Sequence, residues 1–213
     1  MQDLDIIALK YVEPDWQQTR DCLSKLDYPV FYADRDGVGN MSRAFNDAFD
    51  KYVKGRFRYV WFITNITFDP SVPGKLLSTL KYQRRNKAAA AHPKMATSDH
   101  SHLKGGIDAH NEVPFVELTA PMFRADVFQL FYLCEETPYY YMDLIISHDL
   151  REEGFKLLVV NDAEVHHTYL RNSTSQHPIS DIRKRLRNIH TPISKQYMVN
   201  TYGPDWEAKL WPR

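Results

Sequence analysis

Two periods of apolar positions alternate along this chain, and together they predict strands interleaved with helices. Leu4 to Tyr11 is a short run rich in branched residues, as expected of a buried strand. Pro14 and Asp15 then open a helix to about Leu26, with Trp16, Cys22, Leu23 and Leu26 along one side. Tyr28 to Ala33 reads as a second strand and ends in the polar loop Asp34 to Gly39. A helix carrying Ala44, Phe45, Ala48, Phe49 and Tyr52 follows, and Arg58 to Thr64 is a third, continuously apolar strand. The order β-α-β-α-β argues for parallel strands with helices on the sheet faces. In such sheets ligands bind beyond the carboxyl ends of the strands, which here means Tyr11, Asp34 to Gly39 and Thr64 to Asp69.

The second half is less regular. Pro73 to Tyr82 is expected to be helical and Lys87 to His92 a short strand, whereas Pro93 to Asn111 is polar, rich in His and Gly, and without period. A connection of that length is a working loop or a mobile one. Phe115 to Ala120 resumes strand character, Arg124 to Leu133 is helical, and a helix from about Tyr140 to Glu153 stops at Gly154. Phe155 to Val160 and Ala163 to Tyr169 predict two more strands, and Ser180 to Trp211 a helical tail with basic residues from Arg183 to Arg187. No internal repeat or linker interrupts the chain. Residues 1–213 are expected to form one α/β domain: a nucleotide-binding half over 1–92, an acceptor and catalytic half over 93–170, and the helical tail over 171–213.

Composition narrows the function classes. Lys and Arg total 27 against 27 Asp and Glu, so no global field draws in nucleic acid or an acidic membrane. Cys22 and Cys134 sit in apolar-periodic segments and make no disulfide framework; buried thiols in a reducing compartment are the simpler reading. The opening residues show no secretory pattern, and no apolar run approaches the roughly 20 residues of a membrane span. A cytosolic protein is expected, and the N-x-S/T triplets at Asn40, Asn65 and Asn172 are then chance matches.

Several constellations could do chemistry. The loop from Asp34 to Arg43 joins a strand to a helix start, where backbone N–H groups and the helix dipole favour a phosphate; it reads equally as an ordinary βα turn. Thr64 to Asp69 ends the third strand with polar side chains, read either as turn chemistry or as contact with a diphosphate and its metal. Asp143 lies in an aromatic and apolar setting, which suits a general base; the plainer alternative is a dipole-stabilised helix carboxylate. His166 and His167 are adjacent on a strand, so one of them can face a site and bind a divalent metal. For His100 and His102, solvated loop residues are the simpler reading.

In order and spacing these segments resemble the family-2-like GT-A glycosyltransferases over residues 4 to 170, and within them the chlorovirus enzymes, as the N-terminal domain of a longer polypeptide. Asn46, in Ser42-Arg43-Ala44-Phe45-Asn46-Asp47-Ala48, matches the asparagine of the A-x-N-x-A/G helix. The E-D-x-D-L-x-x-R-x-x-x-x-G-Y/F-K pattern is similar to the stretch from Met142-Asp143 to Gly154-Phe155-Lys156, and the following A-x-V-x-H corresponds to the stretch from Ala163 to His167. The resemblance implies a GT-A (Rossmann-like) fold, mixed but mainly parallel, that moves a hexose or deoxyhexose from a UDP-sugar to a hydroxyl of a glycan or glycoprotein. It makes Asp143 the base that deprotonates the acceptor and implies that Tyr11, Asp34, Arg35, Arg43, Asn46 and Asn65 hold uridine and diphosphate. It also implies a divalent cation, Mn2+ or Mg2+, at Asn65 and His167, while Trp61, Tyr139, Tyr140 and Tyr141 could stack on sugar faces. Two positions depart from the family. Thr64-Asn65-Ile66 stands in place of the metal-binding Asp-x-Asp, and Met142 in place of the acidic residue before the base. A sugar-1-phosphate nucleotidyltransferase would need glycines after the first strand, where Lys10 to Pro14 has none. A carbohydrate- or nucleotide-binding module on a degenerate fold is the other alternative.

Overall fold

The structure, a computed structural model, describes residues 3–10, 15–34, 39–56, 58–96, 98–167 and 178–211. Strands β1 (Leu4–Leu9), β2 (Val30–Ala33) and β3 (Tyr59–Ile63) are joined through helices α1 (Asp15–Leu23) and α2 (Met41–Tyr52). The short β4 (Ile66–Phe68) and helix α3 (Val72–Tyr82) lead to β5 (Ala88–Lys94), then to β6 (His110–Glu112) and β7 (Met122–Arg124). Helices α4 (Ala125–Phe131) and α5 (Met142–Glu152) precede the long β8 (Lys156–His167), and α6 (Pro178–Tyr202) and α7 (Trp206–Leu210) form the tail. The sheet order is β2-β1-β3-β7-β5-β8-β4, with β6 on β8. β1, β2, β3, β5 and β8 run the same way, while β7, β4 and β6 run against their neighbours. The fold is the expected mixed, mainly parallel sheet with helices. No helix of the described residues is long and apolar enough to cross a membrane.

Each apolar run folds as its period demands. β1 and β3 are buried at every position because both sheet faces are covered. Phe62 of β3 meets Phe45 of α2 and Phe128 of α4, with ring centroids 4.9 and 4.8 Å apart. Its neighbour Trp61 points to the opposite face, against Phe68 at 4.9 Å, and donates from Nε1 to the Ala120 carbonyl at 2.8 Å. Trp61 is fully buried and therefore packs the core; it is not the sugar-stacking surface expected from its place in the sequence. The four alanines Ala88 to Ala91 favour helix intrinsically, yet they form the centre of β5, fully buried between β7 and β8.

Three expectations are corrected. Residues 115–120 are not a strand. They continue the antiparallel register of β7 beside β3, with Phe62 N donating to Pro121 O at 3.0 Å and Thr64 N to Thr119 O at 3.0 Å. Pro121 returns no N–H, so the ladder stays one-sided. The two strands expected after Gly154 are one, β8, bent where the register jumps from Pro93↔Val160 to Lys94↔Glu164, again beside a proline that cannot donate. The stretch 93–111 is not structureless: it holds the end of β5, a 3-10 turn over Ser101–Lys104 and the start of β6.

Helix α2 is tied to the 133–138 segment by its polar residues. Asn46, buried in the helix, accepts from Leu133 N at 3.0 Å and donates to Leu133 O at 2.9 Å, satisfying both backbone groups of one residue. Asn46→Ala should orphan that pair and cost about 2–4 kcal/mol. Urea unfolding measures this as a lowered midpoint at unchanged slope; a loss well under about 1 kcal/mol would show the pair to be dispensable.

Candidate active site

β2 leaves its pairing with β1 at Leu9↔Ala33, and β3 leaves at Ala8↔Ile63, so Asp34, Thr64 and Asn65 emerge together at the carboxyl edge of the parallel strands. Asp34 is exposed, and Asn65 is buried at the turn into β4. Ile66 of β4 pairs with His167 of β8, which brings His167 to one residue's remove from Asn65. Tyr11 and Arg35 lie outside the described residues.

The remaining nucleotide candidates are occupied elsewhere. Arg43 Nε donates to Glu135 Oε2 at 2.8 Å, and Asn46 holds Leu133 as described above. The start of α2 is closed as well. Asn40 caps it by accepting from Arg43 N at 3.0 Å, Met41 N donates to Pro138 O at 2.9 Å, and Ser42 Oγ to Thr137 O at 3.1 Å. The phosphate cradle expected there from the helix dipole is thus filled by the chain's own carbonyls.

Asp143 stands in the first turn of α5, one turn before Ser147 on the same helix face. That face receives the 113–121 segment as it crosses from β8 to β3. Val116 N donates to Ser147 Oγ at 3.2 Å, and Leu118 N to Asp143 Oδ2 at 3.4 Å. Leu144 N donates to Asp143 Oδ1 at 2.9 Å. At the next residue of the segment, Thr119 O accepts from Thr64 N, so the carboxylate is coupled through Leu118 and Thr119 to the end of β3. Burial raises the Asp143 pKa to about 6, the negative charge of Glu117 adds to the rise, and the two backbone N–H donors oppose it. A carboxyl so placed is ionised at neutral pH yet basic enough to take a proton.

Residues missed in the sequence complete the site. Glu117 is held by Ser98 Oγ at 2.7 Å and Thr119 Oγ1 at 3.3 Å; burial raises its pKa while these hydrogen bonds lower it. His100 Nε2 lies 3.5 Å from Glu117 Oε1. Burial lowers the His100 pKa, and the charge of Asp143 raises it. His100 and His102 are not solvated loop residues, for both rings pack on Phe115, at 4.7 and 4.5 Å, and His102 donates from Nε2 to Phe115 O at 3.2 Å. His92, fully buried, donates from Nδ1 to Pro93 O at 2.6 Å and is held neutral by burial, its pKa pushed down to about 4. The one signal available in the sequence was a carboxylate, Glu117, inside the apolar run from Phe115 to Ala120.

Among the described residues no group of three His, Cys, Asp or Glu side chains is placed to hold a metal ion. Asn65 and His167 offer one amide and one imidazole, a donor set that does not by itself fit a resident Mn2+ or Mg2+.

No family model matches the sequence, and no curated protein matches it. In structure the chain is similar to GalNAc-T7, solved with UDP, GalNAc and Mn2+, with a TM-score of 0.54 at 9% identity. The match covers 98% of this chain and 58% of GalNAc-T7, so the chain spans somewhat over half the length of that protein. The fold is therefore GT-A-like, as the order of elements and the Asp143 region led one to expect.

The raised pKa of Asp143 has a consequence for stability. The folded state binds this proton more tightly than the unfolded chain, so the group costs nothing below about pH 4, and the cost grows as pH rises through about 6. Relative to the parent, Asp143→Asn should therefore gain on the order of 2–3 kcal/mol between pH 4 and pH 7.5, on top of a pH-independent cost for replacing one acceptor of the Leu118 and Leu144 N–H groups by an amide NH2. Urea midpoints of both proteins at the two pH values test this, and a stability difference that does not change with pH would contradict it.

Proposed function

We propose that this chain is a glycosyltransferase that moves a hexose or deoxyhexose from a UDP-sugar to a hydroxyl of a glycan or glycoprotein. The observation that carries the reading is Asp143: a carboxyl tuned to about 6, held by backbone N–H groups, beside the edge where β3 ends. In this reading the acceptor hydroxyl gives its proton to Asp143 as its oxygen attacks the donor's anomeric carbon. The bond from that carbon to the UDP oxygen breaks with its electron pair on UDP, and Asp143 later returns the proton to solvent. Glu117 keeps a second negative charge near Asp143, which supports the base strength.

Donor binding is assigned to the edge formed by Asp34 and Asn65, with Tyr11 and Arg35 as further candidates from the sequence. GalNAc-T7, similar in fold, was solved with UDP and Mn2+. Among the described residues, Asn65 and His167 are the groups the resemblance offers a divalent cation, which would offset charge on the departing UDP if it came with the donor. No step above depends on it. The alternative, a binding module without turnover, draws on Thr64-Asn65-Ile66, where the strand end offers no carboxylate.

Thermal unfolding with UDP, GDP, CMP or ADP, each with and without Mn2+, tests the donor site. UDP at a hundred times its Kd should add about 2.7 kcal/mol, or roughly 5–11 °C. Mn2+ alone should give no shift. UDP release from UDP-glucose should rise about tenfold per pH unit below about pH 6 and level off above it, as the base ionises. Asp143→Asn should lose turnover and keep the UDP shift. No shift with any nucleotide would sink the donor assignment, and UDP binding without turnover in the parent protein would favour the binding module.

A further inference from the structure

The tail builds a second surface next to Asp143. α7 and the end of α6 pack on α5 through a separate apolar cluster of Phe115, Leu144, Ile145, Met198, Trp206 and Leu210. Arg151 Nη2 reaches the Leu210 carbonyl at 3.4 Å and fixes the end of α7. This docking opens a groove of about 820 Å³ lined by Tyr141, Trp206 and Trp211 together with Asp205, Glu207 and Ala208.

Three features of the groove point to one kind of ligand. Its walls are aromatic: Trp206 meets Tyr141 edge-on at 5.1 Å, and Trp211 rests on His100 at 5.0 Å and Phe115 at 5.1 Å while remaining 38% exposed. Such faces suit the C–H surface of a pyranose ring. Among the described residues, its charged lining side chains are the carboxylates Asp205 and Glu207, which accept hydrogen bonds from hydroxyls. Asp205 is exposed and paired with Lys209 at 2.9 Å, so its charge is offset, and the groove suits an uncharged, hydroxyl-rich ligand. Finally, Tyr141 adopts a left-handed backbone conformation, φ 73°, immediately before α5. That is a costly state for a residue with a Cβ, and here it turns one ring into the groove two residues before Asp143.

We propose that this groove is the acceptor subsite, binding an uncharged pyranose end of a glycan between Trp211 and Tyr141 with its nucleophilic hydroxyl directed toward Asp143. The assignment of the bound sugar as acceptor rests on the transferase reading given above. The groove is roughly large enough for two sugar rings. Continuity runs through His100, whose ring touches Trp211 on one side and whose Nε2 lies 3.5 Å from Glu117 on the other.

Saturation-transfer NMR with cellobiose, maltose and lactose, and with glucose 6-phosphate as the charged control, tests the proposal on the full chain. At least one neutral disaccharide should bind, and the phosphorylated sugar should not. Trp211→Ala should weaken binding about tenfold, and Trp211→Phe should retain most of it. Trp211 is partly exposed at the end of α7, so both variants are expected to fold, which their unfolding midpoints will show. If UDP stabilises the parent protein but no disaccharide binds, or Trp211→Ala binds as well as the parent, the groove assignment falls and the donor reading stands. If a disaccharide binds through Trp211 but UDP does not stabilise the protein, the acceptor role falls with the transferase reading and a carbohydrate site is left.

Discussion

The segment from Val113 to Pro121 has no regular ladder of its own, so each of its buried backbone groups must find a partner elsewhere. Val113 N finds the Leu157 carbonyl of β8, Val116 N the hydroxyl of Ser147, and Leu118 N the carboxylate of Asp143; the Thr119 and Pro121 carbonyls take N–H groups of β3 and its end. This one strip of chain thereby sews β8, α5 and β3 together. It also sets the distance between the sheet edge and Asp143, because both are held to neighbouring residues of the same backbone. The candidate base is positioned by a requirement of folding, and this accounts for a polar helix face turned inward where an apolar one would bury more surface.

The same arrangement creates an electrostatic cost. Asp143 and Glu117 place two carboxyls in one partly desolvated region, and both pKa values are driven upward by burial. Two solutions coexist. Glu117 is wrapped by the hydroxyls of Ser98 and Thr119 and approached by His100, so its charge is spread over fixed donors. Asp143 receives only backbone N–H groups, which orient it and leave its basicity raised. Two carboxyls whose surroundings differ in this way have different capacities: in the proposed reaction one would act as a local field and the other would exchange a proton.

Much of this was legible in the sequence, and the failures have physical causes. Continuous burial of β1 and β3, the apolar stripe of α2, and the helix that ends at Gly154 follow from period alone, and the spacing from Asp143 to Phe155 marked the carboxylate. The strand expected over 115–120 failed because Pro121 halves the ladder, and the two strands after Gly154 merged because Pro93 only bends the pairing. Glu117, Ser98 and His100 were missed since they lie on irregular chain, where no period reveals which side chain faces inward. Arg43 and Asn46 show a different limit. The family resemblance implied contacts with uridine and diphosphate, but sequence does not show that residues 133–138, almost a hundred positions later, engage both side chains and the start of that helix.

The plugged helix start bears on how a charged donor could be held. A GT-A-like sheet offers its carboxyl edge, and here the α2 dipole is already answered by Asn40 and the carbonyls of Thr137 and Pro138. Arg43 is likewise answered by Glu135. The described residues at the edge, Asp34, Thr64 and Asn65, carry no positive charge. A diphosphate bound there would depend on cations from outside this edge or on one that comes with the ligand. The proposed acceptor side has no such need, since a neutral sugar asks only for flat apolar faces and hydroxyl acceptors. Among the described residues, side chains suited to a ligand are thus more complete on the side of Tyr141 and Trp211 than at the end of β3. That asymmetry makes the proposed donor edge the part of the site whose affinity should be most sensitive to ionic conditions.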